Sequence, residues 1–135
     1  MAVIGIGLDL VERSRIERAL NRFGEAFLAR ILSTEEQKHV PQGTVRKIEY
    51  VAARFAAKEA AAKALGTGFA NGIGPTDFEI LSLPSGAPRL RLTGAALEHA
   101  QRLDVSACHL TLTHSTTHAA AVVILETASL TSSRD

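Results

Sequence analysis

The sequence predicts an α+β chain, in which one early strand is followed by a group of helices and then by two pairs of short strands. Three observations indicate this class. Residues 2–7 are short, β-branched and punctuated by glycine, residues 44–65 form a long alanine-rich helical pattern, and residues 77–92 and 108–126 each hold two alternating segments around a turn. We expect one domain over residues 1–126 and a frayed tail at 127–135, because 135 residues, 46% of them hydrophobic, suffice for one core.

Charge and cysteine content exclude several classes of protein. Fifteen Lys and Arg against fourteen Asp and Glu leave a net charge of +1, so the molecule has no strong field for nucleic acid. A single cysteine excludes an internal disulfide framework. The N-terminus lacks a basic leader, and no apolar run reaches the roughly 20 residues of a membrane helix. We therefore expect a cytoplasmic protein with neither nucleic-acid nor membrane partners.

The first predicted element is a strand over Ala2–Gly7, with Asp9 just beyond its end. An acid at a strand end is well placed for a site, although an N-cap before a helix starting at Val11 is its simpler role. The motif Gly5-Ile6-Gly7 is a weak dinucleotide signal, because it lacks the third glycine.

The pattern from Val11 to Phe23 predicts an amphipathic helix with two distinct faces. Apolar residues recur at helical spacing, and three arginines share another face at i, i+3 and i+7. A solvated basic face is the ordinary explanation for such arginines. The apolar residues are Ile16, Leu20 and Phe23, and the arginines are Arg15, Arg18 and Arg22.

Three further helical segments follow. Glu25–Leu32 has one or two helical turns, and Ser33-Thr34-Glu35-Glu36 is a capping-box pattern for a short helix that Pro41 stops. Thr44 is the predicted cap of a long helix that continues to Leu65. Gly66 marks its end.

Loops, strands and one more helix make up the second half. Four glycines over residues 66–75 predict a loop with unusual backbone angles. The remaining predicted elements are a hairpin of Asp77–Leu83 and Pro88–Leu92 around residues 84–87, a helix over Gly94–Leu103 capped by Thr93, and a strand pair of Cys108–Thr113 and Ala119–Glu126.

The helix from Arg54 to Gly68 is the segment most suggestive of chemistry. Glu59 and Lys63 share a face, and an exposed ion pair worth about 0.3–0.5 kcal/mol is the ordinary explanation. Flanking Arg54 and Lys58, small alanines and a glycine loop favour phosphate handling instead. Asp9 and Glu59 could together hold Mg²⁺, which takes carboxylate oxygens and often keeps substrate phosphates as further ligands.

His114 ends an alternating segment and precedes Ser115. A structural or simply exposed histidine is the ordinary interpretation. A Ser115-His114-Asp9 triad is a weak alternative, because no nucleophile-elbow pattern surrounds Ser115.

Taken together, the motifs resemble the holo-acyl-carrier-protein synthases, the small bacterial class of 4′-phosphopantetheinyl transferases. The resemblance extends through Glu126. Two segments carry it, and three shorter matches follow in the family's order. They are Gly5-Ile6-Gly7-Leu8-Asp9-Leu10-Val11 with Arg15-Ile16-Glu17, Arg54-Phe55-Ala56-Ala57-Lys58-Glu59-Ala60 with Lys63-Ala64 and Gly66-Thr67-Gly68, then Asp77-Phe78-Glu79-Ile80, Gly86-Ala87-Pro88 and Leu112-Thr113-His114-Ser115.

The resemblance implies a phosphopantetheinyl transferase fold, with a small antiparallel sheet packed on the long helix and additional short helices. It also implies transfer of phosphopantetheine from coenzyme A to a serine of apo acyl carrier protein, with release of adenosine 3′,5′-bisphosphate, in fatty acid biosynthesis. Asp9 and Glu59 match the family's Mg²⁺ ligands, and Mn²⁺ is a possible substitute. Glu59, Lys63 and His114 are the expected catalytic residues. The expected coenzyme A contacts are Arg54, Lys58, Lys63, Gly66, Gly68, Gly86, Pro88 and His114.

The resemblance further implies a basic docking face for the acidic carrier protein, made of Arg15, Arg18 and Arg22, and a homotrimer with sites at its subunit interfaces. Ala87 departs from the family, which often has lysine there, so any contact of that lysine is in doubt here. Two other functions stay open. One is a noncatalytic carrier-protein or nucleotide-binding module, and the other is a Mg²⁺-dependent hydrolase that uses water as nucleophile.

Overall fold

The computed structural model describes residues 1–128 and confirms the α+β class. Apart from Thr127 and Ala128, the predicted tail lies outside the described residues. Among residues 1–128, no helix combines the length and apolarity that a transmembrane span requires. The elements are β1 (Ala2–Glu12), α1 (Arg13–Phe23), α2 (Glu25–Ile31), α3 (Thr34–Gln37), α4 (Thr44–Leu65), a 3-10 turn (Pro75–Asp77), β2 (Phe78–Ser82), β3 (Pro88–Leu92), α5 (Gly94–Arg102), β4 (Ala107–His114) and β5 (His118–Thr127).

The strands form two separate antiparallel sheets. The main sheet has the order β1-β5-β4, and β2 pairs only with β3 in a hairpin. Both predicted strand pairs are therefore confirmed. Thr127 is fully buried and pairs with Ala2, so the start of the predicted frayed tail instead belongs to the sheet.

Strand β1 continues five residues beyond its predicted end at Gly7. The acid does not stop the strand, because the backbone of Asp9 pairs with Ala121 and pairing continues to Glu12 opposite His118. Helix α1 consequently begins at Arg13, with Glu12 as its N-cap. The prediction of a helix from Val11, and with it an N-cap role for Asp9, was wrong.

Strand β1 lies directly on helix α4. A Cβ atom built on Gly5 would be 2.1 Å from the carbonyl oxygen of Ala64, and one on Gly7 would be 1.8 Å from that of Ala60. Because no real Cβ fits at these distances, the two glycines are what allow the backbones to touch. The alanines of α4 have the matching role, since they leave no side chain to hold the sheet away; those buried are Ala52, Ala56, Ala57, Ala60, Ala61, Ala62 and Ala64.

Helix α4 begins and ends with glycine. Thr44 is its first residue rather than its cap, which is Gly43. At the other end Gly66 adopts φ 80° and its N–H bonds to the carbonyl oxygen of Lys63, as predicted for a C-cap. The short helix α3 has its predicted capping box, in which Ser33 and Glu36 each bond to the other's backbone N–H.

The Gly7→Ala variant tests the contact between β1 and α4. We expect it to lower the free energy of unfolding by about 3 kcal/mol, because a methyl group meets a backbone carbonyl that cannot turn aside. Urea unfolding followed by circular dichroism measures the change.

Gly74→Ala is the matched control, because nothing lies within 4 Å of its added Cβ and its φ of −128° suits alanine. Equal stability losses in the two variants would show that the close contact is not what makes Gly7 necessary.

Candidate active site

The close packing of β1 on α4 brings Asp9 to Lys63. The ammonium of Lys63 donates hydrogen bonds to Asp9 Oδ1 at 3.0 Å and to the carbonyl oxygen of Leu8 at 3.0 Å. The Asp9 side chain is 16% exposed and that of Lys63 is 53% exposed. In the part of the chain that the structure describes, Lys63 thus pairs across to the strand and not with Glu59 one turn before it.

Glu59 is half-buried beside the same pair. Burial raises the pKa of its carboxyl, the negative charge of Asp9 raises it further, and the positive charges of Arg15 and Lys63 oppose this rise. Two acids and two bases from β1, α1 and α4 therefore act on one another. We call Asp9, Arg15, Glu59 and Lys63 the charged cluster.

The charged cluster fits a hard divalent cation. Mg²⁺ is typically held by one or two carboxylates, with waters and substrate phosphates as its other ligands. Asp9 and Glu59 supply two carboxylates close enough to repel each other, which an added cation would relieve. Within residues 1–128, no group of three or more His, Cys, Asp and Glu side chains is arranged as a complete protein cage.

The three arginines of the predicted basic face, Arg15, Arg18 and Arg22, are all exposed. Of these arginines, Arg15 belongs to the charged cluster, and its guanidinium lies 5.3 Å from the ring centre of Phe55 on α4. Arg22 lies seven residues further, about 10 Å along the helix, over the ring of Phe23. Phe23 is 56% exposed, so it does not share the burial of Ile16 on the apolar face of the helix. An apolar ring instead lies within the basic face.

Lys58 does not belong to the charged cluster. Its ammonium is fully buried and donates to Glu36 Oε1 at 2.7 Å, to the carbonyl oxygen of Pro75 at 3.0 Å and to that of Phe78. Burial lowers the pKa of Lys58, and the charge of Glu36 opposes this. Because all three donors are used inside the protein, the coenzyme A contact predicted for Lys58 does not fit this structure.

Arg54 lies on a different side of α4. Its guanidinium stacks 3.6 Å from the ring centre of Tyr50, and its Nε is buried without a hydrogen-bond partner among residues 1–128. It lines a cavity of about 670 Å³. The other lining residues come from α3, the loop after it, α4 and the hairpin, and they are Glu35, Glu36, His39, Tyr50, Ile80, Leu81, Ser82 and Arg91.

His114 is also distant from the charged cluster. It is exposed at the end of β4, with Nε2 3.7 Å from Glu49 Oε2. Glu49 precedes Glu59 by ten positions, about 15 Å along α4. The Ser115-His114-Asp9 triad is therefore not assembled, since each member has other neighbours; the hydroxyl of Ser115 accepts from the backbone N–H groups of Thr117 and His118.

The glycines that the resemblance assigns to coenzyme A contacts each have a structural reason in this chain, because their backbone angles favour glycine. Gly66, Gly68 and Gly86 have φ of 80°, 60° and 90°, which favour glycine. The N–H of Gly68 bonds to the carbonyl oxygen of Ala62, directly after the turn that holds Lys63. Gly86 and Pro88 lie at the exposed tip of the hairpin.

Sequence reasoning missed two groups of residues. Glu36 was interpreted only as part of a capping box, and nothing in its spacing from Lys58 indicates the buried pair. The second group is an exposed apolar row on β1 consisting of Ile6, Leu8 and Leu10, which we call the outer row. Its signal was present in the alternation with Gly5, Gly7 and Asp9, which face the helix.

Comparison with known proteins gives one consistent result. A family model described as the 4′-phosphopantetheinyl transferase superfamily matches residues 5–123. The holo-[acyl-carrier-protein] synthase of Desulfovibrio desulfuricans is 51% identical over 124 residues, which is 92% of this chain and 98% of that protein.

Two solved structures have the same fold. The crystal structure of holo-[acyl-carrier-protein] synthase from Neisseria meningitidis has a TM-score of 0.84 at 36% identity, covering 92% of this chain and 98% of that one. The enzyme from Bacillus anthracis, in complex with CoA (3′,5′-ADP), has a TM-score of 0.79 at 35% identity, covering 95% and 100%.

The pKa of Glu59 provides a direct test of the charged cluster. Asp9→Asn removes a negative neighbour and should lower this pKa, whereas Lys63→Met removes a positive neighbour and should raise it. Carboxyl ¹³C chemical shifts followed over a pH titration measure both changes.

Lys47→Met controls for the loss of a positive charge elsewhere on the same helix. If the pKa of Glu59 moved in the same direction in Asp9→Asn and in Lys63→Met, this would contradict the arrangement of charges described for the cluster.

Proposed function

The chain belongs to the 4′-phosphopantetheinyl transferase superfamily, and we propose that it moves phosphopantetheine from coenzyme A to a serine of apo acyl carrier protein. Adenosine 3′,5′-bisphosphate is the second product, and fatty acid biosynthesis is the process served. The observation that carries this proposal is the contact of Asp9 with Lys63 beside Glu59, which joins two metal-binding carboxylates to a cation suited to phosphate.

The reaction breaks the diphosphate of coenzyme A. The serine oxygen attacks the phosphorus that bears pantetheine, the bond from this phosphorus to the bridging oxygen breaks, and the electron pair leaves with adenosine 3′,5′-bisphosphate. Asp9 and Glu59 are the proposed ligands of Mg²⁺, or of Mn²⁺ in its place. When bound, the ion supplies positive charge to the diphosphate.

The protein's own groups have separate roles. Lys63, about half exposed and held by Asp9, offers a compact cation to the leaving phosphate. Glu59, or a water that it orients, accepts the serine proton.

The proposed coenzyme A contacts exclude Lys58. Arg54 remains a candidate because its Nε lacks a partner and its guanidinium borders a cavity. Gly66 and Gly68 remain candidate contacts for coenzyme A, because their loop directly follows Lys63, which is proposed to bind the phosphate. Gly86 and Pro88 at the hairpin tip complete the set on this chain, where Ala87 supplies no charge.

His114 requires a second subunit in order to reach the charged cluster. We propose a homotrimer whose subunits meet through the outer row, in which the Leu8 side chain is 61% exposed. Apolar side chains in a continuous row are typical of interfaces. The exposed His114 of one subunit would then contact coenzyme A bound at the charged cluster of the next.

The carrier protein has a proposed docking face on α1, made of Arg15, Arg18 and Arg22. The place of Arg15 within the charged cluster supports this face, because the carrier's serine must reach the same cluster. The exposed ring of Phe23 adds an apolar anchor to it. The whole transferase is assigned to the cytoplasm and to one domain, which extends one residue beyond the predicted 1–126 to include Thr127 of β5; the family match over residues 5–123 supports a single domain.

Mass spectrometry of the carrier tests the transfer directly. With coenzyme A, Mg²⁺ and an apo carrier protein, the carrier should gain the mass of one phosphopantetheine. The Asp9→Asn variant should lose at least 100-fold in kcat/KM, because one of the two carboxylates for the cation is removed. A loss of about 100-fold corresponds to about 2.7 kcal/mol of transition-state stabilisation. No mass gain on several carriers would remove the proposal, and cleavage of coenzyme A without a carrier would favour a hydrolase.

The trimer is tested by Leu8→Lys, which places a charge in the outer row. Sedimentation should change from trimer to monomer, and transfer activity should be lost with it. Leu97→Lys, on α5 and 40% exposed, is the matched control and should remain trimeric. Co-expressed Asp9→Asn and His114→Ala chains should regain activity, since mixed trimers contain interfaces with both residues intact; a monomeric wild type would contradict the proposal.

The docking face is tested by Arg15→Glu. We expect KM for the carrier protein to rise by about tenfold or more, the equivalent of at least 1.4 kcal/mol, and by a larger factor than KM for coenzyme A. Arg102→Glu makes the same charge change on α5 and should leave both constants near wild type. An unchanged carrier KM in Arg15→Glu would place the docking face elsewhere.

A further inference from the structure

Glu36 and Lys58 form an ion pair that the proposed chemistry does not use. Both side chains are fully buried, and Lys58 Nζ lies 2.7 Å from Glu36 Oε1. Burying two charges costs several kcal/mol of desolvation per ion, which is offset only where the remaining donors and acceptors are also satisfied. An apolar pair of similar volume often gives equal stability, so stability alone does not explain this one.

Glu36 Oε1 also accepts the capping bond from the N–H of Ser33 at the start of α3, and the remaining hydrogen bonds of the pair connect different elements. Lys58 on α4 also donates to the carbonyl oxygens of Pro75 and Phe78, in the 3-10 turn and at the start of β2. Glu36 on α3 accepts from the N–H of Ile80 at 2.8 Å through Oε2. The pair therefore joins α3 and α4 to the first strand of the hairpin.

The hairpin lies outside the main sheet. Within residues 1–128, strand β2 pairs only with β3, so its distance from α4 is set by core packing and by side-chain bonds such as these rather than by a backbone ladder. The connection also lies beneath the cavity of Arg54. Tyr50 and Arg54 on α4 form one wall, residues 80–82 of β2 form the facing wall, and Glu36 lies at the base.

The phenol of Tyr50 is held by the same residue. Its hydroxyl donates to the backbone carbonyl of Glu36 at 2.6 Å, and the guanidinium of Arg54 stacks on its ring. One residue at the base of the cavity is thus bonded both to the wall that carries Arg54 and to the wall formed by β2.

We propose that Glu36 and Lys58 are positioning residues, which set the separation of α4 and β2 and thereby the affinity for coenzyme A. The proposal rests on the proposed function, because it takes this cavity to receive part of coenzyme A. Neither side chain touches the substrate. Their effect is transmitted through Arg54 on one wall and the backbone of Ile80 on the other.

The double variant Glu36→Leu/Lys58→Met separates positioning from stability. Lys58→Met alone leaves a buried carboxylate without its partner and should lower Tm strongly, whereas the double variant should recover much of that loss. The double variant still lacks the bonds to Pro75, Phe78 and Ile80. We therefore expect its KM for coenzyme A to stay raised by about tenfold, with kcat at saturating coenzyme A within about twofold of wild type.

Leu28→Ala serves as the stability control, since Leu28 is buried on α2 and does not line the cavity. It should lower Tm without raising KM for coenzyme A. Calorimetric titration of adenosine 3′,5′-bisphosphate should show the same weakening in the double variant and none in the control. A double variant that recovers both Tm and KM would overturn the proposal.

A wild type that transfers nothing would defeat the proposed function. Hydrogen exchange would still test the positioning role in that case. The backbone N–H of Ile80 should exchange faster in the double variant than in Leu28→Ala. Equal protection of Ile80 in the two variants would show that the pair does not hold β2.

Discussion

The direct contact between strand β1 and helix α4 determines most of the remaining structure. It depends on the absence of side chains at Gly5 and Gly7, where a single Cβ would overlap a helix carbonyl. Once the backbones meet in this way, Asp9 must lie next to the turn that carries Glu59 and Lys63. From Gly5 to Val11 the odd-numbered residues of β1 face the helix, and the even-numbered ones form the outer row. One contact thereby defines both the charged cluster and the apolar surface on the opposite side of the sheet.

Helix α4 presents different chemistry on different sides. Lys63 lies at an exposed edge beside Asp9, where its ammonium can turn toward a phosphate. Lys58 lies in the core, where its three donors hold Glu36, the 3-10 turn and β2. The same residue type five positions apart has a proposed chemical role in one case and an architectural role in the other. Only the alanines between them let so many elements approach the helix closely.

Patterns in the sequence predicted those features that depend on local physics. The bounds of β3, the capping box at Ser33 and the end of α4 at Gly66 follow from short-range preferences, and all three are confirmed. The predicted end of β1 was wrong because a strand tolerates an acid when the backbone of that acid is paired. The pairing partner here is β5, which lies far away in the sequence, so local patterns do not indicate it. The local sequence pattern also gave no indication that Lys58 is buried, since its partner Glu36 lies 22 positions earlier. The motif containing Asp9, Glu59 and Lys63 was recognised by resemblance, but only the fold shows why these residues meet.

The central claim is that the contact of β1 with α4 builds a divalent-cation site from Asp9 and Glu59, with Lys63 beside the bound diphosphate. Anomalous diffraction from crystals grown with Mn²⁺ and coenzyme A measures this most directly. The account predicts one strong peak between the two carboxylates, within about 2.3 Å of an oxygen of each, and a diphosphate oxygen of coenzyme A on the same ion. A peak at other residues, or coenzyme A bound with its diphosphate away from Lys63, would contradict it.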